Sequence, residues 1–62
     1  MIYESSEIAA EREKLGIGRD RLAALSGVSA SRIGKIEREG HATEVKLKQL
    51  TVALQKARGG GE

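Results

Sequence analysis

Residues Arg19 to Glu37 read RDRLAALSGVSASRIGKIE, and this stretch decides the fold. Leu22, Ala23 and Leu25 recur at helical spacing. Ser26-Gly27-Val28 follows, and Gly27 can take the left-handed conformation that closes a helix. Ser29 then stands as an N-cap, because its hydroxyl can accept from the free backbone N–H of Ser31 or Arg32. In the second segment Ile33 and Ile36 are three apart and share one face, while Ala30, Ser31, Arg32, Gly34 and Lys35 make a small, polar and cationic face opposite. The pattern predicts two short helices, about Arg19–Ser26 and Ser29–Arg38, crossing over a tight turn. Ala23 permits the close crossing, and Val28, Ile33 and Ile36 fill the wedge.

The remaining 43 of the 62 residues have to build a single small core around that wedge. Tyr3 is the sole aromatic residue, so the core must be made of Leu, Ile, Val and Ala. There is no Pro to break a helix and no Cys to form a disulfide or a thiolate metal site. His41 is the single histidine and cannot hold a metal alone; neither metal nor cofactor nor small-molecule substrate is expected. No apolar run approaches the ~20 residues of a membrane span. The first residues lack the cationic-then-apolar layout of a signal peptide, so a cytoplasmic location is expected. The net charge of +2 is uneven, with −2 over residues 1–14 and +4 over the rest. A basic half is the minimum electrostatic footprint for a phosphate-bearing partner, though a solvated charged face has the same appearance.

In chain order, Ser5 or Ser6 is placed to cap a first helix of about Ser6–Leu15, with Glu7 in its first turn. Ile8, Arg12 and Leu15 fall on one face with Ala9 beside them, and an arginine in the middle of an apolar face needs a partner. Gly16 ends this helix and Ile17 turns back to the core. Gly18 is an acceptable N-cap for the second helix. Gly40 ends the third, and Thr43 caps a fourth of about Glu44–Ala57. Its inward stripe is Leu47, Leu50, Thr51, Leu54 and Ala57. Val45 and Val52 form a second apolar line on the outer side, to be covered either by Met1, Ile2 and Tyr3 folding back or by a second copy of the chain. The expected fold is all-α, a compact bundle of four short helices over residues 1–58, with a Gly-rich tail at 59–62.

Extended by its flanks, EREKLGIGRDRLAALSGVSASRIGKIE and the later VKLKQLTVAL resemble the Cro and lambda-repressor-like (XRE-type) helix-turn-helix family of phage and bacteria. The resemblance covers roughly residues 6 to 55. It implies that Arg12 pairs with Glu37, which would supply the missing partner and tie the first helix to the third. It implies base reading by Ala30, Ser31 and Lys35, with Arg32 beside them. Arg32 and Lys35 suit the O6 and N7 edge of guanine, and each could instead contact phosphate. Gly34 would let the helix approach a base or sugar closely, or is drift on an exposed surface. Phosphate contacts would come from Arg19, where the family has Gln, and from Ser29, Arg38 and His41. Glu39 and Glu44 depart from a more basic family loop, and His41 is otherwise a plain surface histidine.

The implied function is sequence-specific binding of double-stranded DNA by a small Cro-like or repressor-like transcriptional regulator, with a homodimer across Val45 and Val52 as one of the two options for that apolar line. The alternative is a protein-interaction module, such as an antitoxin or anti-repressor domain, with an acidic partner for the basic face. Catalysis is not expected, since the lone His41 has no acid or nucleophile at a recognisable spacing.

Overall fold

The computed structural model describes residues 2–59, and four helices account for most of them. They are α1 Ser5–Lys14, α2 Arg19–Ser26, α3 Ala30–Glu39 and α4 Glu44–Gly59. No strand is present among the described residues. The all-α bundle is therefore the observed fold, with α2 and α3 forming the helix-turn-helix.

Each boundary has a local cause. Glu4, and not Ser5 or Ser6, is the N-cap of α1, because its own N–H donates to the Glu7 carboxylate at 2.8 Å while its carbonyl accepts from Glu7 N–H at 2.8 Å. Glu7 thus satisfies an orphan donor of the first turn and complements the positive end of the helix. Ser5 is used otherwise: its hydroxyl donates to the Gly40 carbonyl, joining the start of α1 to the end of α3. At the other end Leu15 is the C-cap, and Gly16 and Ile17 donate back to the Glu13 and Arg12 carbonyls at 3.0 and 3.3 Å. This 6→1 and 5→2 pattern turns Ile17 onto the core. Gly27, at φ +80°, closes α2 by donating to the Ala23 carbonyl at 2.9 Å. Ser29 caps α3, accepting from Arg32 N–H at 3.1 Å. Thr43 does the same for α4 through Lys46 N–H at 3.3 Å.

The core is the wedge, closed from below by α4. Ile8, Leu22, Ile33, Leu50 and Leu54 are fully buried, with Val28, Ile36 and Ala53 beside them. Ala23, Leu25, Leu15 and Leu47 pack on its margin. Of the anticipated α4 stripe, Leu50, Thr51 and Leu54 are buried, whereas Leu47 and Ala57 are half-exposed and Ala53 takes the inward position between them. After Ala53, a second core member that was not anticipated comes from the lead-in. Tyr3 is buried, and its N–H donates to the hydroxyl of buried Thr51 at 2.8 Å. The lead-in therefore does fold back on α4, but onto Thr51. Val45 and Val52 stay open at 67 % and 43 % exposure, so Ile2 and Tyr3 do not cover them. Met1 lies outside the described residues. So does the Gly-rich tail apart from Gly59, which is the last residue of α4 and not the first of a linker.

Candidate nucleic-acid interface

Because Ile33 and Ile36 face the core, α3 must turn its other side outward. Ser31, Arg32, Lys35, Arg38 and Glu39 are all exposed there, and Ala30 is half-buried at the helix start. The helix presents hydroxyl, guanidinium and ammonium groups on one convex ridge. Two hollows flank it. The first lies between α3 and the start of α2, lined by Gly18, Arg19 and Asp20 from one side and Ala30, Ser31, Gly34 and Arg38 from the other, with Arg12 at its floor. The second lies between α3 and the loop into α4, and Arg32, Lys35, His41 and Lys46 all border it.

The residues singled out as base readers are thus split. Ala30, Ser31 and Gly34 border the first hollow, beside Arg19 and Arg38; Arg32 and Lys35 border the second, beside His41. Ser29 is exposed at the N-terminus of α3, with its oxygen already accepting from Arg32 N–H. His41 is exposed and its Nε2 lies 3.8 Å from the Glu39 carboxylate. Lys46 was not foreseen. It lines the second hollow from the first turn of α4, where its N–H donates to the Thr43 cap.

Gly34 needs correction. It is buried, and does not stand open on the ridge. The side chain of Arg19 lies across it: a Cβ built at Gly34 would meet the Arg19 Cδ and Nε at 3.6 Å each. The Arg19 side chain thus covers Gly34 at ordinary contact distance.

Arg19 is held there by Glu37. Arg12 grips the same carboxylate with two prongs, Nε to Oε2 at 2.8 Å and Nη2 to Oε1 at 3.2 Å, and its Nη1 donates to the Ile17 carbonyl at 3.0 Å. The Nε of Arg19 adds a third bond, to Glu37 Oε1 at 3.0 Å. Glu37 is 5 % exposed and Arg12 10 %, while Arg19 is 52 % exposed. Burial alone would push the Glu37 carboxyl up. The hydrogen bonds and charges of Arg12 and Arg19 overcome that and hold it below the ordinary carboxylate range. The same pairing raises the Arg12 guanidinium, against the opposing effect of burial. A buried fork–carboxylate pair of this kind ties α1 to α3.

α3 thus shows an exposed, largely cationic face with a hollow on each flank. A family model described as helix-turn-helix matches residues 8–58. The chain belongs to that helix-turn-helix family. Its type is that of the lambda repressor and Cro. No match was found among curated proteins or among solved structures. The helix-turn-helix family is one of DNA-binding regulators and is generally non-enzymatic. Among the described residues of this helix-turn-helix chain, no helix is long and apolar enough to cross a membrane, and no cluster of His, Asp and Glu could hold a metal ion.

Proposed function

We propose that this chain is a sequence-specific regulator of transcription that binds double-stranded DNA with α3 in the major groove, acting in the manner of Cro or a repressor from within the cytoplasm. One observation carries the reading: the face of α3 opposite Ile33 and Ile36 is open and bears Ser31, Arg32, Lys35 and Arg38. The ~12 Å major groove admits an α-helix. Lys35 and Arg32 are the readers of guanine edges, Ser31 is a weak discriminator, and Ala30 offers an apolar contact to a thymine methyl. Arg19, Ser29, Arg38 and His41 hold the phosphates, joined by Lys46 on the second flank.

A module of this size covers only ~600–1,000 Å² of DNA-facing surface, too little for tight binding by one copy. Two copies on a two-fold symmetric operator, with half-sites ~34 Å apart, would remedy this. Val45 and Val52, exposed beside Leu25 in a shallow apolar hollow, are the surface offered for that dimer. Repression would then be steric, by occupation of promoter DNA.

The test is selection of preferred duplexes from a random library, by wild type and by Lys35→Ala. Recovery of a site containing G·C pairs, with one of them relaxed in the variant, is the expected result. If Lys35→Ala weakened all sequences equally, Lys35 would be a phosphate contact and its reading role would fall. Recovery of no enriched duplex would leave the basic face to a protein partner.

A further inference from the structure

Arg19 is the most exposed member of a three-residue cluster whose other members are buried, and this division of exposure has a consequence. Arg12 and Glu37 neutralise each other inside the protein, at a two-pronged separation of 2.8 and 3.2 Å. The remaining positive charge of the cluster therefore resides on Arg19, at the surface. Only the Nε of Arg19 is spent, on Glu37 Oε1 at 3.0 Å, and among the described residues neither terminal nitrogen of Arg19 makes a hydrogen bond. The aliphatic stem is fixed as well, lying on Gly34 with Cδ 3.6 Å from where a Cβ would be. The guanidinium is consequently anchored along one edge and open along the other, above the hollow shared by Ser31 and Arg38.

We propose that Glu37 is a positioning residue for DNA binding, which presets Arg19 as a two-pronged phosphate donor, and that Gly34 is the bare floor on which Arg19 must lie. The inference rests on the regulator reading above and adds a role for two residues that touch no DNA. A free arginine loses rotamer freedom when it is fixed on a phosphate, whereas Arg19 has already been fixed on folding. The fork geometry also makes the device specific to arginine, since a lysine has no Nε edge to give to Glu37 while its end faces a phosphate.

The experiment is a double-mutant cycle on binding to a mixed-sequence duplex, read by fluorescence anisotropy over a range of salt, with folding of each variant checked by circular dichroism. Glu37→Gln and Arg19→Ala are each expected to weaken binding about three- to tenfold. The double variant should be no weaker than Arg19→Ala alone, because Glu37 acts through Arg19. Arg19→Ala should also lower the salt slope by about one phosphate. Should Glu37→Gln fail to fold, Gly34 carries the test. Gly34→Ala should bind like wild type, because one Cβ makes ordinary contact with Arg19. Gly34→Leu should weaken binding in the wild-type background and have no effect in Arg19→Ala. Independent, multiplicative effects of Glu37→Gln or Gly34→Leu on top of Arg19→Ala would overturn the proposal alone. Absence of any duplex binding by folded wild type would overturn the regulator reading, and this proposal with it.

Discussion

Glu37→Gln is the sharpest probe of how the helix-turn-helix is held. The substitution keeps the size and one acceptor oxygen but removes the charge. Arg12, 10 % exposed, then has a neutral amide oxygen for only one of its Nε and Nη2, and keeps the Ile17 carbonyl at 3.0 Å and the exposed Glu13 carboxylate at 3.7 Å. Breaking a buried pair from one side costs roughly 3–5 kcal/mol. The retained contacts of Arg12 and the surviving amide oxygen place the loss at the lower end or just beneath it, about 2–3 kcal/mol. That is a large share of the ~3–5 kcal/mol which a domain of this size holds in total. Urea denaturation of wild type and variant, followed by circular dichroism at neutral and at acid pH, measures it. The sign of the pH effect is fixed by the lowered carboxyl: its stabilisation is full above the ordinary carboxylate range and is lost as pH falls through the depressed folded value. Glutamine has nothing to protonate at this position. The gap between the two proteins should therefore be widest near neutrality and close on acidification. A gap that stayed constant down to strong acid would refute the charge pair as its origin.

Further expectations follow from the packing. Thr51→Val removes the hydrogen-bond acceptor of the buried Tyr3 N–H, and should cost about 1–2 kcal/mol in the same assay; a neutral result would mean that this hydrogen bond contributes no net stability. Gly34→Ala should raise stability by up to ~1 kcal/mol, since its helical site accepts a Cβ without a clash and glycine is the poorer helix former. Val45→Asp with Val52→Asp should leave the fold intact, both sites being exposed, and reduce a dimer on operator DNA to a monomer in sedimentation; an unchanged assembly would remove these valines from the seam.

The wedge was legible because it rests on strong local signals. A glycine at a left-handed position, a serine cap and aliphatic spacing each point to one conformation, and Gly27, Ser29, Ile33 and Ile36 all take the expected place. The Arg12 and Glu37 pairing came from family resemblance, since 25 residues separate the partners and no periodicity links them. Contacts made by a backbone group or a long side chain carry no such local signal. Tyr3 reaches Thr51 through its N–H, which every residue but proline owns and so leaves no trace in side-chain pattern. Gly34 looked open because its helical face is the outward one, and only the three-dimensional path of Arg19 across it buries it. The α1 cap was misassigned for a similar reason: serine is the better capping type, but Glu7 satisfies Glu4 and Ser5 is drawn to Gly40.

The most direct measurement for the account as a whole is equilibrium binding of the wild-type chain to duplex DNA as salt is raised. A cationic α3 ridge lying in a groove predicts measurable binding at low salt, with log affinity falling linearly against log salt in proportion to the phosphates neutralised. A normally folded domain that bound no duplex at ~50 mM salt would contradict it.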